Sequence, residues 1–143
     1  MCSSTMILVD TNVRSESTKG SRSEPRVIDW LRANEKHTLL SVIVIGEIEQ
    51  GIAMTSGPEK RRVLETWKRE LLEDHVDRLV EFDLKAALKW GQLTAPFRKD
   101  RRTGVLVDCM LAAQALTLNV PLATRNAKDF RVEGVALIDP WDA

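Results

Sequence analysis

Four acidic residues stand where the sequence offers a carboxylate little water. Asp10 directly follows Ile7-Leu8-Val9, and Glu47 comes just after Val42-Ile43-Val44-Ile45. Asp108 sits inside VLVDCMLAAQAL, and Asp129 lies in ATRNAKDF. Most other acids fall in charged stretches where solvent is the natural partner. In open α/β sheets, sites form in the crevice beyond the carboxyl ends of the strands. Carboxylates gathered there repel one another, and some hold a proton unless a cation neutralises them. All-oxygen ligands favour magnesium or manganese over zinc. Such an ion lowers the pKa of bound water and balances charge on a phosphoryl centre. The chemistry this implies is phosphodiester hydrolysis, with no His or Cys nucleophile required.

Each residue also has a plainer explanation. Asp-Thr-Asn is good turn chemistry, so Asp10 can be a turn or cap residue. Asp108 has Leu111, Ala112 and Ala115 on its helical face, which predicts burial, but an N-cap near the helix start fits equally. Glu47 can share an exposed helix face with Glu49. Thr124 and Asn126 flank the strand end before Asp129, where they can orient a ligand carboxylate or form a Thr-Arg-Asn turn. Two basic runs complete the candidates. FRKDRR precedes the Asp108 helix, so Arg98, Lys99, Arg101 and Arg102 are placed to draw a polyanion towards the acids. Lys60-Arg61-Arg62 reads as a solvated helix face or a lesser phosphate contact.

The elements that must position these groups alternate. Residues 6–9 read as a buried parallel strand. Residues 24–34, opening Glu-Pro, read as a helix with proline in its first turn, and residues 38–41 as a strand. SVIVIGEIEQGIAM combines β-branched residues with helical spacing, and Ser41 marks the change from strand to helix. Residues 59–73 form a charged amphipathic helix with Val63, Leu64, Trp67 and Leu71 on its apolar side. A strand over 79–82, a helix over 84–97 carrying Leu88 and Leu93, an apolar helix over 105–118 and strands at 121–123 and 135–138 follow. Alternating strands and helices predict one α/β domain over residues 1–143, with a parallel sheet of about five strands covered on both faces.

The 143 residues carry 21 basic and 21 acidic groups, 43% apolar residues and 29% charged ones. That composition suits a globular protein with one core, and it excludes binding to nucleic acid by general basic excess. No apolar run approaches the roughly 20 residues of a membrane span. MCSSTM lacks the apolar core of a signal peptide, so a cytoplasmic location is expected. Residues 1–5 read as a disordered leader before Met6. Cys2 and Cys109 make no disulfide framework and no zinc spacing. His37 and His75 read as surface or capping residues. Trp30, Trp67 and Trp90 read as core or dimer anchors, and Trp141 as packing for the C-terminus.

ILVDTNV, LSVIVIGEIEQG, VDCMLAAQAL and ATRNAKDF, followed by VALIDPW, resemble the PIN-domain ribonucleases in order over residues 6–141. The likeness is strongest to the toxin subunits of VapBC-type toxin–antitoxin pairs, including the FitB-like branch. The resemblance implies a three-layer α/β/α sandwich and a magnesium-dependent endoribonuclease, manganese substituting, that uses a metal-activated water. It further implies a homodimer, and a cognate antitoxin that blocks the site and carries any contact with operator DNA. Residue by residue, it makes Asp10, Glu47, Asp108 and Asp129 the catalytic and metal-binding acids, supported by Asn12, Thr124 and Asn126. The sequence departs from the pattern at Arg14, where relatives usually have an apolar residue, and in the polar stretch 16–26. Both bear on where an antitoxin docks. Cys109 replaces a small residue after the third acid. The competing function is an antitoxin-bound DNA-binding regulatory complex with weak or no nuclease activity. A receiver or haloacid-type phosphotransfer protein fits poorly, because DTN supplies neither paired acids nor Asp-x-Asp.

Overall fold

The computed structural model describes residues 5–97, 103–125, 132 and 134–142. Most of the expected leader, residues 1–4, lies outside these. Ile7–Val9 (β1) is the central strand of a five-stranded sheet, flanked by Thr38–Ser41 (β2) and Leu122–Ala123 (β4). Leu79–Val80 (β3) and Leu137–Ile138 (β5) form the edges, so the order is β3-β2-β1-β4-β5 with every pairing parallel. The order reverses between β1 and β4, which makes the carboxyl ends of those two strands the topological switch point.

Helices connect the strands: Thr11–Arg14 (α1), Pro25–Asn34 (α2), Val42–Ala53 (α3), Pro58–Asp74 (α4), Leu84–Thr94 (α5) and Thr103–Leu118 (α6). Side chains of β1 alternate between the two faces, as strand geometry requires. Leu8 enters a core with Leu40, Val44, Ile48, Leu71, Leu111 and Leu122 from β2, α3, α4, α6 and β4. Ile7 and Val9 enter a second core with Val13, Val27, Leu31 and Ala123, closed by Trp30, Ile138 and Trp141. Two cores, one on each face of a parallel sheet, make the three-layer sandwich that the alternating pattern predicts.

Capping chemistry sets several boundaries. Ser41 ends β2 and caps α3, its Oγ accepting from Ile43 N at 3.0 Å. Glu24 caps α2, with Pro25 in the first turn. The edge strand at 79–80 is shorter than expected, and the helix expected to run to Phe97 gives way to a 3-10 turn after Thr94. Val63 and Leu88, expected on apolar faces, are 66% and 61% exposed. Each lies on a helix whose neighbours in this chain cover only a narrow stripe, with Leu64 and Trp67 packed from α4 and Leu93 from α5. Trp90 donates from Nε1 to the Leu106 carbonyl at 3.1 Å, pinning α5 to α6.

Of the two places expected for His75, surface or cap, the structure takes the cap. His75 ends α4, and its side chain is wholly buried. Nδ1 faces the Leu71 carbonyl at 2.9 Å, so that nitrogen carries the proton. Nε2 is then the acceptor for Arg14 NH2 at 2.9 Å, with Thr38 Oγ1 at 3.1 Å. Arg14, itself only 4% exposed, also meets Glu35 at 3.4 Å. Arg14 therefore fills an apolar-looking position by bringing its own partners. Burial and the neighbouring Arg14 hold the His75 pKa below its usual value. The neutral ring adds stability above the unfolded pKa near 6.5, and that stability fades as pH falls through the lower folded value. Replacing His75 with Ala is expected to cost about 3 kcal/mol at neutral pH, because Arg14 loses a buried acceptor. Thermal melts across pH check this: the gap between wild type and variant narrows in acid.

Candidate active site

Asp10 follows β1 at the switch point and caps α1. Its Oδ1 accepts from Thr11 N at 2.7 Å, and its Oδ2 from Thr124 Oγ1 at 2.8 Å. The cap reading of Asp10 is thus borne out, at the end of the strand where the sequence set it. The cap fixes the carboxylate, and Thr124, arriving on β4, holds its other oxygen across the point where the sheet order reverses. Asp10 is 5% exposed. Burial pushes its pKa up, while the bonds from Thr124 and Thr11 pull it back.

Glu47 lies in the second turn of α3. Its Oε1 accepts from Thr11 Oγ1 at 2.7 Å, so Thr11 serves both acids, one through its amide and one through its hydroxyl. Burial raises the Glu47 pKa; the Thr11 bond lowers it and the Asp10 charge raises it. Thr11 was not among the sequence candidates. Only its place inside DTN hinted at it, and its partner is 36 positions away.

Asp108 is the sixth residue of α6, which begins at Thr103. It is therefore not an N-cap. Its face carries the buried Leu111, Ala112 and Ala115. Burial first, then the charges of Asp10 and Glu47, push its pKa up to about 6. Three acids from three elements thus share one electrostatic field. A tie between α3 and α6 sets their spacing: Ser41 Oγ donates to Gln114 Oε1 at 2.5 Å, and Gln114 Nε2 donates to the Glu81 carbonyl at 3.3 Å.

Asn12 supports the neighbouring strand end rather than Asp10, its Oδ1 accepting from Arg125 N at 3.3 Å. The Arg125 guanidinium in turn sits over the Trp141 ring at 4.9 Å. Asp129, Asn126, Arg98, Lys99, Arg101 and Arg102 lie outside the described residues. Among the described residues, no three His, Cys, Asp or Glu side chains are grouped closely enough to enclose a metal ion. The donor set nonetheless suits a hard divalent cation. It is all oxygen, it is mutually repulsive, and Asp10 and Glu47 keep carboxylate lone pairs beyond those already engaged.

Two of the cavities that flank α4 differ in whether they reach the acids. One of about 620 Å³ is lined by Arg14, Arg32, Glu35, Glu70 and Asp74 and contains none of the acids above. The other, of about 310 Å³, has Thr11 and Glu47 in its wall. Among the described residues, no helix is long and apolar enough to cross a membrane.

Comparison with known proteins places this geometry. The PIN domain family profile matches residues 7–134. Plasmid stability protein StbB of Pseudomonas syringae pv. tomato is 37% identical over 96% of this chain and all 100% of its own length. A VapC ribonuclease, Y4jK, of Sinorhizobium fredii is 30% identical over 96% of this chain and 99% of its own. Toxin FitB of Neisseria gonorrhoeae is 30% identical over 95% and 99%. The crystal structure of FitAcB from Neisseria gonorrhoeae superposes with a TM-score of 0.82 at 30% identity, covering 96% of this chain and 100% of that one. A structure of FitAB bound to a DNA fragment gives 0.81 at 29%, covering 95% and 96%.

The raised pKa of Asp108 makes a stability prediction independent of catalysis. Ionising Asp108 in the folded, metal-free protein costs stability as pH rises from about 4 through about 6, and the loss persists above. Asp108→Asn removes that cost. In chelator at neutral pH the variant is expected to be more stable by about 1–2 kcal/mol, part of the full shift being screened by water. The gain should vanish near pH 4, and added magnesium should raise the melting temperature of wild type more than that of the variant. Melts that coincide at neutral pH in chelator would contradict the shared field.

Proposed function

The chain belongs to the PIN-domain family, and from that premise we propose that it is a divalent-metal-dependent endoribonuclease, the toxin of a toxin–antitoxin pair. The observation that carries this reading is the field shared by Asp10, Glu47 and Asp108: after burial, the Asp10 charge raises the Glu47 pKa, and the Asp10 and Glu47 charges raise that of Asp108. The names of the relatives support it: one is a VapC ribonuclease and another is a toxin. Magnesium is the expected ion, with manganese able to substitute, because the donors are carboxylates.

Asp10, Glu47, Asp108 and Asp129 are the residues that would hold the ion. When bound, it supplies charge neutralisation for the carboxylates and for the scissile phosphate, and it lowers the pKa of water. The chain's own work is positioning. Thr124 and the Thr11 amide keep Asp10 from rotating, and the Thr11 hydroxyl keeps Glu47 turned towards it. Held in a crevice that excludes much of the water, these carboxylates orient the attacking water in line with the phosphorus. The leaving oxygen takes its proton from solvent, since neither described histidine lies at the site: His75 is locked to Arg14 and Leu71.

A homodimer and a cognate antitoxin are proposed partners, with operator DNA reached only through the antitoxin. Support comes from the FitAcB and FitAB structures, one of the latter bound to DNA. The basic residues 98, 99, 101 and 102 precede α6 and remain the proposed RNA-phosphate contacts. We expect a cytoplasmic protein acting as one domain over residues 1–143.

Purified protein incubated with a mixed cellular RNA pool in manganese is expected to cut it, while Asp10→Asn, Asp108→Asn and a chelator-treated sample do not. Removing one metal-binding acid should cost at least about 100-fold, by analogy with the loss of a charge-stabilising group elsewhere. Thr11→Val, which frees Glu47 but keeps the fold, should cost about tenfold. Full activity of both Asn variants would sink the mechanism. No cleavage by folded, antitoxin-free wild type would favour the DNA-bound regulatory complex.

A further inference from the structure

The cavity of about 310 Å³ beside the acids is not empty space left by poor packing. Its wall is assembled from α1, the Ser15–Arg22 turn, α3 and α4: Thr11, Glu47, Ser15, Thr18, Thr55 and Lys60, with Leu64 and Trp67 as an apolar side. Because Thr11 and Glu47 belong to both the cavity and the acid cluster, whatever occupies one adjoins whatever occupies the other. We propose that this pocket receives the base of the RNA nucleotide next to the scissile phosphate. The inference rests on the nuclease reading only for where that phosphate lies.

Four features argue for a nucleotide. The volume lies at the lower end of the range for ligand pockets, which suits one base with part of its ribose. Leu64 and Trp67 offer an apolar wall for a base face, and unstacked bases of single-stranded RNA are recognised in this way. Lys60 lines the pocket, and among the described residues it forms no ion pair, so its charge is available to a backbone phosphate. Its neighbour Arg61 is spent on the Thr55 carbonyl.

The hydroxyls carry the selectivity. Thr18 Oγ1 donates to the Ser15 carbonyl at 2.7 Å, and Thr55 Oγ1 donates to the Gly51 carbonyl at 2.8 Å. With both protons committed to backbone, these two side chains present lone pairs to a ligand. These two acceptors, with the Glu47 carboxylate in the same wall, match a base that carries an exocyclic amine. Adenine, cytosine and guanine have one, whereas uracil has only its ring N3–H, flanked by two carbonyl oxygens that face the acceptors unfavourably. The pocket therefore selects against uridine at this position.

Gly51 provides the test. It lines the pocket, and a Cβ built on it meets nothing within 4 Å. Gly51→Leu fills the cavity from the last turn of α3, and a better helix former there leaves melting temperature equal or higher. Binding of short fluorescent single-stranded RNAs, varied one base at a time, is measured by anisotropy in chelator, where no divalent ion supports cleavage. Steady-state cleavage in manganese is measured alongside. Wild type is expected to bind RNAs with uridine at one particular position about tenfold more weakly than the others. Gly51→Leu should weaken binding of the preferred RNAs by about tenfold and erase that preference. Lys60→Gln should weaken all RNAs alike and lower the salt dependence by about one charge.

Unchanged affinity and unchanged base preference in a folded Gly51→Leu protein overturn the subsite, and cleavage by the same sample shows that the nuclease reading survives. Base-selective binding that Gly51→Leu abolishes, in a wild type that cuts nothing, supports the subsite and removes the nuclease reading. Loss of binding to a cognate antitoxin, with RNA binding untouched, assigns the pocket to a protein and overturns the proposal. Absence of RNA binding by wild type overturns it as well.

Discussion

The Asp10 carboxylate, nearly buried at the end of the central strand, sets a condition that much of the surrounding chain meets. A charge in that position is costly unless polar groups face both oxygens. Thr11 and Thr124 do so from the two sides of the switch point. Glu47 and Asp108 then approach from α3 and α6, which worsens the repulsion instead of relieving it. A fold optimised for stability alone would not gather acids in this way. The unresolved repulsion is what a divalent cation would relieve.

A second buried charge, Arg14, is handled in the opposite manner. It lies four residues from Asp10, but its guanidinium meets an acceptor nitrogen on His75 and the carboxylate of Glu35, so the chain itself supplies its partners. Arg78 braces the same corner by donating to the carbonyls of Glu35 and Thr38. The α1 turn is thereby held between two polar clusters, one whose charge is paired within the chain, with only Arg14 Nε lacking a hydrogen-bond partner among its nitrogens, and one left short of positive charge. The departure from an apolar residue at position 14 is accommodated inside the molecule, and it does not place a new charge on the surface.

The helices carrying Glu47 and Asp108 are joined by the Ser41–Gln114 hydrogen bond beneath the acids. Both residues are buried, and the bond links the N-cap of α3 to the C-terminal half of α6. It does for the helices what Thr124 does for the strands. The pocket beside Glu47 follows from the same arrangement, because α4 returns across α3 with Trp67 packed on the core, and the space between α1 and the two helices stays open.

Local pattern was enough to read the alternation of strands and helices, the cap at Ser41 and the proline start of α2. These depend on side-chain period and on residue type at element ends, which neighbouring positions reveal. The same pattern set Val63 on a covered face and offered His75 a surface or a capping place, of which only the cap holds, because periodicity shows that a face exists but not whether another element covers it. The partners that organise the site were decided by the tertiary structure alone. Thr11 and Glu47 are 36 positions apart, Arg14 and His75 61, Ser41 and Gln114 73, and Asp10 and Thr124 114. No local spacing encodes such pairs. They arise when the order β3-β2-β1-β4-β5 brings the ends of distant strands side by side. The sequence nominated the carboxylates, and the reversal of strand order at β1 and β4 determined which groups hold them.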